Sequence, residues 1–86
     1  MPRFHFNIYD GIISIDQDGT ELPDVHAARR EALILAGAVI EETAKLSALG
    51  EEWRMEVTDD ADLLLFRLDF TIVGSPATTS LRQPQS

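Results

Sequence analysis

The chain opens on a clean alternation. Phe4, Phe6 and Ile8 interleave with Arg3, His5, Asn7 and Tyr9, the period of two expected of a strand buried on one face. Asp10-Gly11 follows, a dipeptide suited to a hairpin turn, and Ile12–Ile15 reads as the return strand, with Ile13 and Ile15 toward the core and Ile12 away from it. Asp16–Glu21 is polar and reads as a loop. From Val25 the period changes to 3.6: Val25, Ala28, Ala32, Leu35, Ala36, Val39, Ile40, Thr43 and Leu46 fall on one helical face. Asp24 stands where an N-cap is needed and Gly50 where a C′ glycine ends a helix, so the pattern predicts a helix over Val25–Leu49. Arg30, Glu41 and Lys45 lie opposite, with Glu41 and Lys45 at the favoured i, i+4 spacing. Ile34 and Ala38 share that polar side, which makes them anomalous.

Alternation returns after the helix. Trp53, Met55 and Val57 alternate with Arg54, Glu56 and Thr58, and Asp59–Asp62 reads as a turn. The last strand, Leu63–Ile72, places Leu64, Phe66, Leu68, Phe70 and Ile72 inward and Leu65, Arg67, Asp69 and Thr71 outward. From Gly74 the composition shifts to Ser, Thr, Pro and Gln, so the chain divides into one domain, 1–73, and a disordered C-terminal tail, 74–86. Four strands and one long helix bury their apolar faces only if the helix lies across one face of the sheet. The expected fold is therefore α+β, a two-layer ββαββ with a four-stranded, mainly antiparallel sheet. Strand order stays open between a 2-1-4-3 arrangement and a 1-2-like one.

Composition narrows the chemistry. Eighty-six residues hold one domain at most. The absence of cysteine excludes disulfides, thiolate catalysis and cysteine-bound metal centres. The formal net charge of −8 speaks against gripping a nucleic-acid backbone or an anionic membrane surface. No stretch approaches the roughly 18 apolar residues of a membrane span, and the first ten residues lack the pattern of a secretory signal. These features suggest a cytoplasmic protein. A core this small is marginal, which favours oligomerisation.

Four blocks of residues resemble a family of short bacterial proteins of unknown function. They are Met1–Gly11, Asp18–Asp24 (DGTELPD), Ala27–Ala32 (AARREA) and Trp53–Asp59 (WRMEVTD). Family members begin MPRYFFHVxDG, continue with a GxELPD loop and an AARxEA helix start, and carry a W-x-[IV]-x-V-x-D strand. The chain departs from that pattern at Asp60-Ala61-Asp62, where members have a glycine, at Leu68-Asp69-Phe70, where L-P-F is common, and in its added tail. The resemblance covers about residues 1–70 and implies a small cytoplasmic bacterial protein. It implies no activity, cofactor or catalytic residue.

Two motifs invite a chemical reading. Asp16-Gln17-Asp18-Gly19-Thr20 after an apolar strand looks like the D-x-D-G-T nucleophile loop of haloacid-dehalogenase-type phosphatases, with Asp59-Asp60 as a metal pair. That chemistry needs the strand at the centre of a parallel doubly wound sheet, and the pattern here is a hairpin followed by one helix. Read as a calcium loop, Asp16, Asp18 and Gly19 fit positions 3, 5 and 6, but Ser14 and Val25 at the two ends are not ligands. The two histidines, His5 and His26, lack metal-ligand spacing, and no serine has a base nearby in sequence. No catalytic, cofactor-binding or metal residue is assigned.

What remains is a surface. Arg3, His5, Tyr9, Ile12, Arg54, Leu65 and Arg67 on the sheet face away from the helix, with Ile34 on the helix, form the candidate interaction face. With Phe4 and Phe6 turned inward, this face lacks the stacking platform of RNA-binding sheets. The sequence itself names no activity. Its leading expectation is a non-enzymatic protein–protein interaction module or homodimer without cofactor. An antitoxin-like or regulatory protein that binds a small basic partner is the alternative. A metal-dependent phosphatase using Asp16 and Asp18 is the remaining one.

Overall fold

The computed structural model describes residues 1–46 and 52–77. Seven residues of alternating burial form β1 (Arg3–Tyr9), followed by two short strands, β2 (Ile13–Ser14) and β3 (Thr20–Glu21). Helix α1 (Val25–Lys45) leads to β4 (Glu52–Thr58) and β5 (Leu64–Thr71). All strand pairs are antiparallel, in the order β2-β1-β4-β5, with β3 also on β1. The fold is the expected α+β arrangement. The 2-1-4-3 order is not the one found: the strand that carries Trp53, and not the last strand, lies beside β1.

Helix α1 starts where the sequence indicates. The Asp24 carboxylate accepts the Ala27 N–H at 2.9 Å, satisfying one of the helix's free donors. The helix reaches its C-cap at Leu46, four residues before Gly50; Ser47–Gly50 lie outside the described residues. Lys45 reaches Glu41 at 3.4 Å, both exposed, and such a pair stabilises by a few tenths of a kcal/mol.

Alanines set the distance between the layers. Ala28, Ala32 and Ala36 are buried against Phe4, Phe6, Trp53, Met55 and Val57, so the helix backbone lies close on β1 and β4. Leu35, Val39 and Ile40 pack at the margin of this core, as Ile8 and Leu22 do. Val25 and Leu46, read as core positions, are exposed at the two helix ends.

Two edges depart from the expected pattern, each for a local reason. β2 pairs only through Ile8–Ser14 and Tyr9–Ile13. Directly opposite residues share a face, so Ile13 joins Tyr9 on the face away from the helix and is 66 % exposed; Ile15 is exposed as well. On the other edge, register shifts between Val57 and Thr58, so that Val57 opposes Phe66 while Thr58 opposes Leu64. One extra residue in the last strand reverses the alternation. Leu65, expected on the outer face, packs against the core instead, and Leu64 is left exposed.

The turn between β4 and β5 is tied by Asp59. Its carboxylate accepts the N–H groups of Ala61 (2.8 Å) and Leu63 (3.0 Å), and its own N–H donates to the Leu63 carbonyl at 3.1 Å. Closing it puts Asp62 at φ 65°, in the left-handed region. Glycine enters that region without the Cβ penalty. Asp62→Gly is expected to stabilise the domain by about 0.5 kcal/mol, net of the extra freedom it gives the unfolded chain. A urea midpoint equal to or below that of the parent would contradict this account of the turn.

Candidate functional site

The loop that resembles a phosphatase motif fills a gap in the sheet edge. Between β2 and β3 the chain leaves β1, and the Asp16 side chain takes over the pairing. Its Oδ2 accepts the Phe6 N–H at 3.1 Å and its Oδ1 accepts the Gly19 N–H at 3.0 Å. Its own N–H donates to the Asn7 side-chain oxygen at 2.9 Å, which satisfies a buried asparagine. Both Asp16 oxygens thus serve backbone N–H groups, one on β1 and one in the loop itself, at the edge of an antiparallel sheet rather than at the centre of a parallel one. Gly19 is required here: at φ 74°, a Cβ would come within 2.7 Å of Arg3 Cγ and 2.8 Å of His5 Cε1.

Residues 16–19 therefore roof one end of the outer sheet face. Beneath them Arg3 donates to the Asp18 carbonyl at 2.9 Å and pairs with Glu21 at 2.8 Å. His5 joins this loop to the β4–β5 turn, with Nδ1 2.8 Å from the Asp16 carbonyl and Nε2 2.7 Å from Asp60 Oδ1. Both neighbours are acceptors, so both ring nitrogens donate, and the ring that makes the two bonds is an imidazolium. The Asp60 carboxylate first, and the Asp16 carbonyl next, raise the His5 pKa above its usual 6.5, against the opposing effect of burial. His26, by contrast, is exposed on the first turn of α1.

The other end of the outer face is open and charged. Arg54 stacks over the Tyr9 ring at 4.5 Å and lies 3.0 Å from Glu56. Arg67 donates to Asp69 at 3.0 Å. Across the strands Arg54 opposes Asp69 and Glu56 opposes Arg67, so signs alternate both along and between β4 and β5. Of the candidate face, the structure brings together Arg3 with His5 beneath the loop and Tyr9 with Arg54, while Arg67 lies one strand further out, paired with Asp69. Ile12 is exposed at the tip of the first hairpin, Ile34 projects from the opposite side of α1, and Leu65 belongs to the core margin.

A third region escaped the sequence reading. Arg29, Leu33, Phe66, Arg67 and Leu68 line a shallow apolar groove between the helix and β5. Leu33 is 66 % exposed there, and the Arg29 guanidinium lies 5.8 Å from the Phe66 ring centre. Phe70 and Ile72 extend the exposed apolar row along β5, which has no second neighbouring strand among the described residues; Leu64 is exposed on the other face, beyond the bulge. The adjacent pair Leu33-Ile34 was the signal. A helix that buries one alanine stripe has no room for two large residues outside it. Among the described residues no three metal-ligating side chains converge.

Two outcomes test the loop. Asp16→Ala leaves the Phe6 and Gly19 N–H groups without their acceptor and is expected to cost about 2 kcal/mol, read as a lower urea midpoint. Asp16→Asn, which keeps one oxygen, costs less. An unchanged midpoint in the alanine variant would mean that the carboxylate does not hold this edge.

The His5 bridge has a definite sign with pH. Its folded-state pKa is raised above the unfolded value, so its contribution is complete below about pH 6.5 and fades as pH rises through the folded value. Melting temperatures taken from pH 6 to 9 are expected to fall more steeply for the parent than for His5→Asn. Parallel curves would remove the cationic bridge.

The geometry can be set beside known proteins. No curated protein matches the chain, and no solved structure does. A family model does match, over residues 3–71, which is the whole of the described sheet and helix. The chain therefore belongs to the family of the domain of unknown function DUF6894.

Proposed function

We propose that this chain is a non-enzymatic interaction module that works by docking onto protein, and that a second copy of itself is the first partner it takes. The observation that carries the reading is the helix-side apolar row of Leu33, Phe70 and Ile72 around Phe66 and Leu68, left uncovered beside an edge strand. Contiguous apolar surface rimmed by polar residues marks contact sites in soluble proteins, and an unpaired strand edge is a ready template for another chain. The groups that first suggested catalysis add support from the other side. Asp16, His5 and Asp60 are engaged in holding the loop and the turn.

Charge is compatible with self-association at this place. A net charge of −8 would oppose the approach of two copies at random. The flank of β5, with Arg29 and Arg67 against Asp69, carries more local positive charge than the acidic turn.

Sedimentation equilibrium of the parent at micromolar concentration is expected to give twice the 9.6 kDa chain mass. Leu33→Asp is expected to weaken association at least tenfold, about 1.4 kcal/mol, with an unchanged helical circular dichroism signal. A parent that stays monomeric to several hundred micromolar, on the order of a very weak complex, would overturn the reading.

A further inference from the structure

We infer that two copies associate edge to edge through β5, antiparallel, with Leu68 opposite its own counterpart. This rests on the self-association proposed above and specifies its interface. The segment Phe66-Arg67-Leu68-Asp69-Phe70 is self-complementary about its centre. In an antiparallel pair centred on Leu68, Arg67 of one copy lies opposite Asp69 of the other, and Phe66 lies opposite Phe70. Only this register matches opposite charges twice and apolar residues three times within the five positions.

The pairing also continues the pattern already present in each copy. Glu56 opposes Arg67 and Arg54 opposes Asp69 within one chain. Joining the two edges yields rows that read Glu56, Arg67, then Asp69 and Arg54 of the second copy. Sign alternates across all four strands, an arrangement in which every cross-strand neighbour is favourable. The helix-side rows are equally consistent. Met55 opposes Leu68, which meets the second Leu68, and Trp53 opposes Phe70, which meets the second copy's Phe66.

The two-fold axis then runs perpendicular to the sheet, so both helices lie on the same side. The two grooves lined by Leu33, Phe66 and Leu68 become one trough along the joined strands. Phe70 and Ile72, now 37 % and 51 % exposed, are withdrawn from water at its two ends. The interface is isologous and closes on itself, so it makes dimers and no longer fibres.

The chain has no cysteine, which makes a cross-link decisive. Opposed residues of an antiparallel pair have Cα atoms about 4.5–5.5 Å apart, within disulfide reach. Leu68→Cys is expected to convert to a covalent dimer on mild oxidation. Leu64→Cys lies more than about 20 Å from its own counterpart in this register and is expected to stay uncross-linked. Arg67→Glu, on the exposed face, sets Glu against Asp69 of the second copy and is expected to weaken the dimer at least tenfold with its fold intact by circular dichroism. A parent that is dimeric while Leu68→Cys fails to cross-link and Arg67→Glu still associates fully would overturn this interface and leave self-association standing. A monomeric parent would overturn both.

Discussion

A helix with its side chains is about 10–12 Å across, and strands lie about 4.8 Å apart, so one helix covers roughly two strands. That ratio governs this domain. The alanine stripe of α1 is centred on β1 and β4, and the buried core is the patch between them. Every strand beyond those two must be stabilised by other means. On one side the chain uses a loop carboxylate and a histidine; on the other side it leaves β5 half-covered. The asymmetry of the molecule is a direct outcome of having one helix for a sheet wider than it can shield.

The elements that α1 covers were legible in the sequence, because burial imposes periodicity. Phe4 and Phe6, Trp53, Met55 and Val57, and the Ala28–Ala32–Ala36 stripe are all where alternation or helical spacing puts them. The N-cap at Asp24 was legible for a different reason, since its geometry is local. The misreadings lie outside the cover. Ile13 and Ile15 looked like core because they are apolar, yet pairing with Tyr9 turns Ile13 to the face away from the helix and Ile15 is exposed as well. Leu64 and Leu65 could not be told apart, because the bulge that reverses them is set by pairing with Thr58 and leaves no mark in a run of three leucines. Strand order depends on which edges meet across the helix connection, and alternation within a strand carries none of that information.

The candidate site shows the same division. The D-x-D-G-T string is real chemistry in its appearance, but the roles of its members come from long-range partners. Asp16 is defined by Phe6 and Asn7, Gly19 by Arg3 and His5, and His5 by Asp60, fifty-five residues away. The outer-face residues Arg54 and Arg67 were correctly placed by alternation, whereas their alternation in sign with Glu56 and Asp69 became visible only with the register. Acidic residues thus do two jobs. Some fasten turns, as Asp16 and Asp59 do, and others balance arginines on an open sheet face, as Glu56 and Asp69 do.

The placement of β1 has a bearing on how the chain comes to be folded. The first strand is also the central one, flanked by β3 on one edge and β4 on the other. During synthesis its β4 edge and its apolar face stay without their partners until residue 58 is available. The early hairpin alone gives it only short ladders, and isolated hairpins are marginal in water. The main ladder of β1 thus forms only across the long connection through α1, once β4 is present. A chain interrupted anywhere before β4 leaves no independently stable remnant.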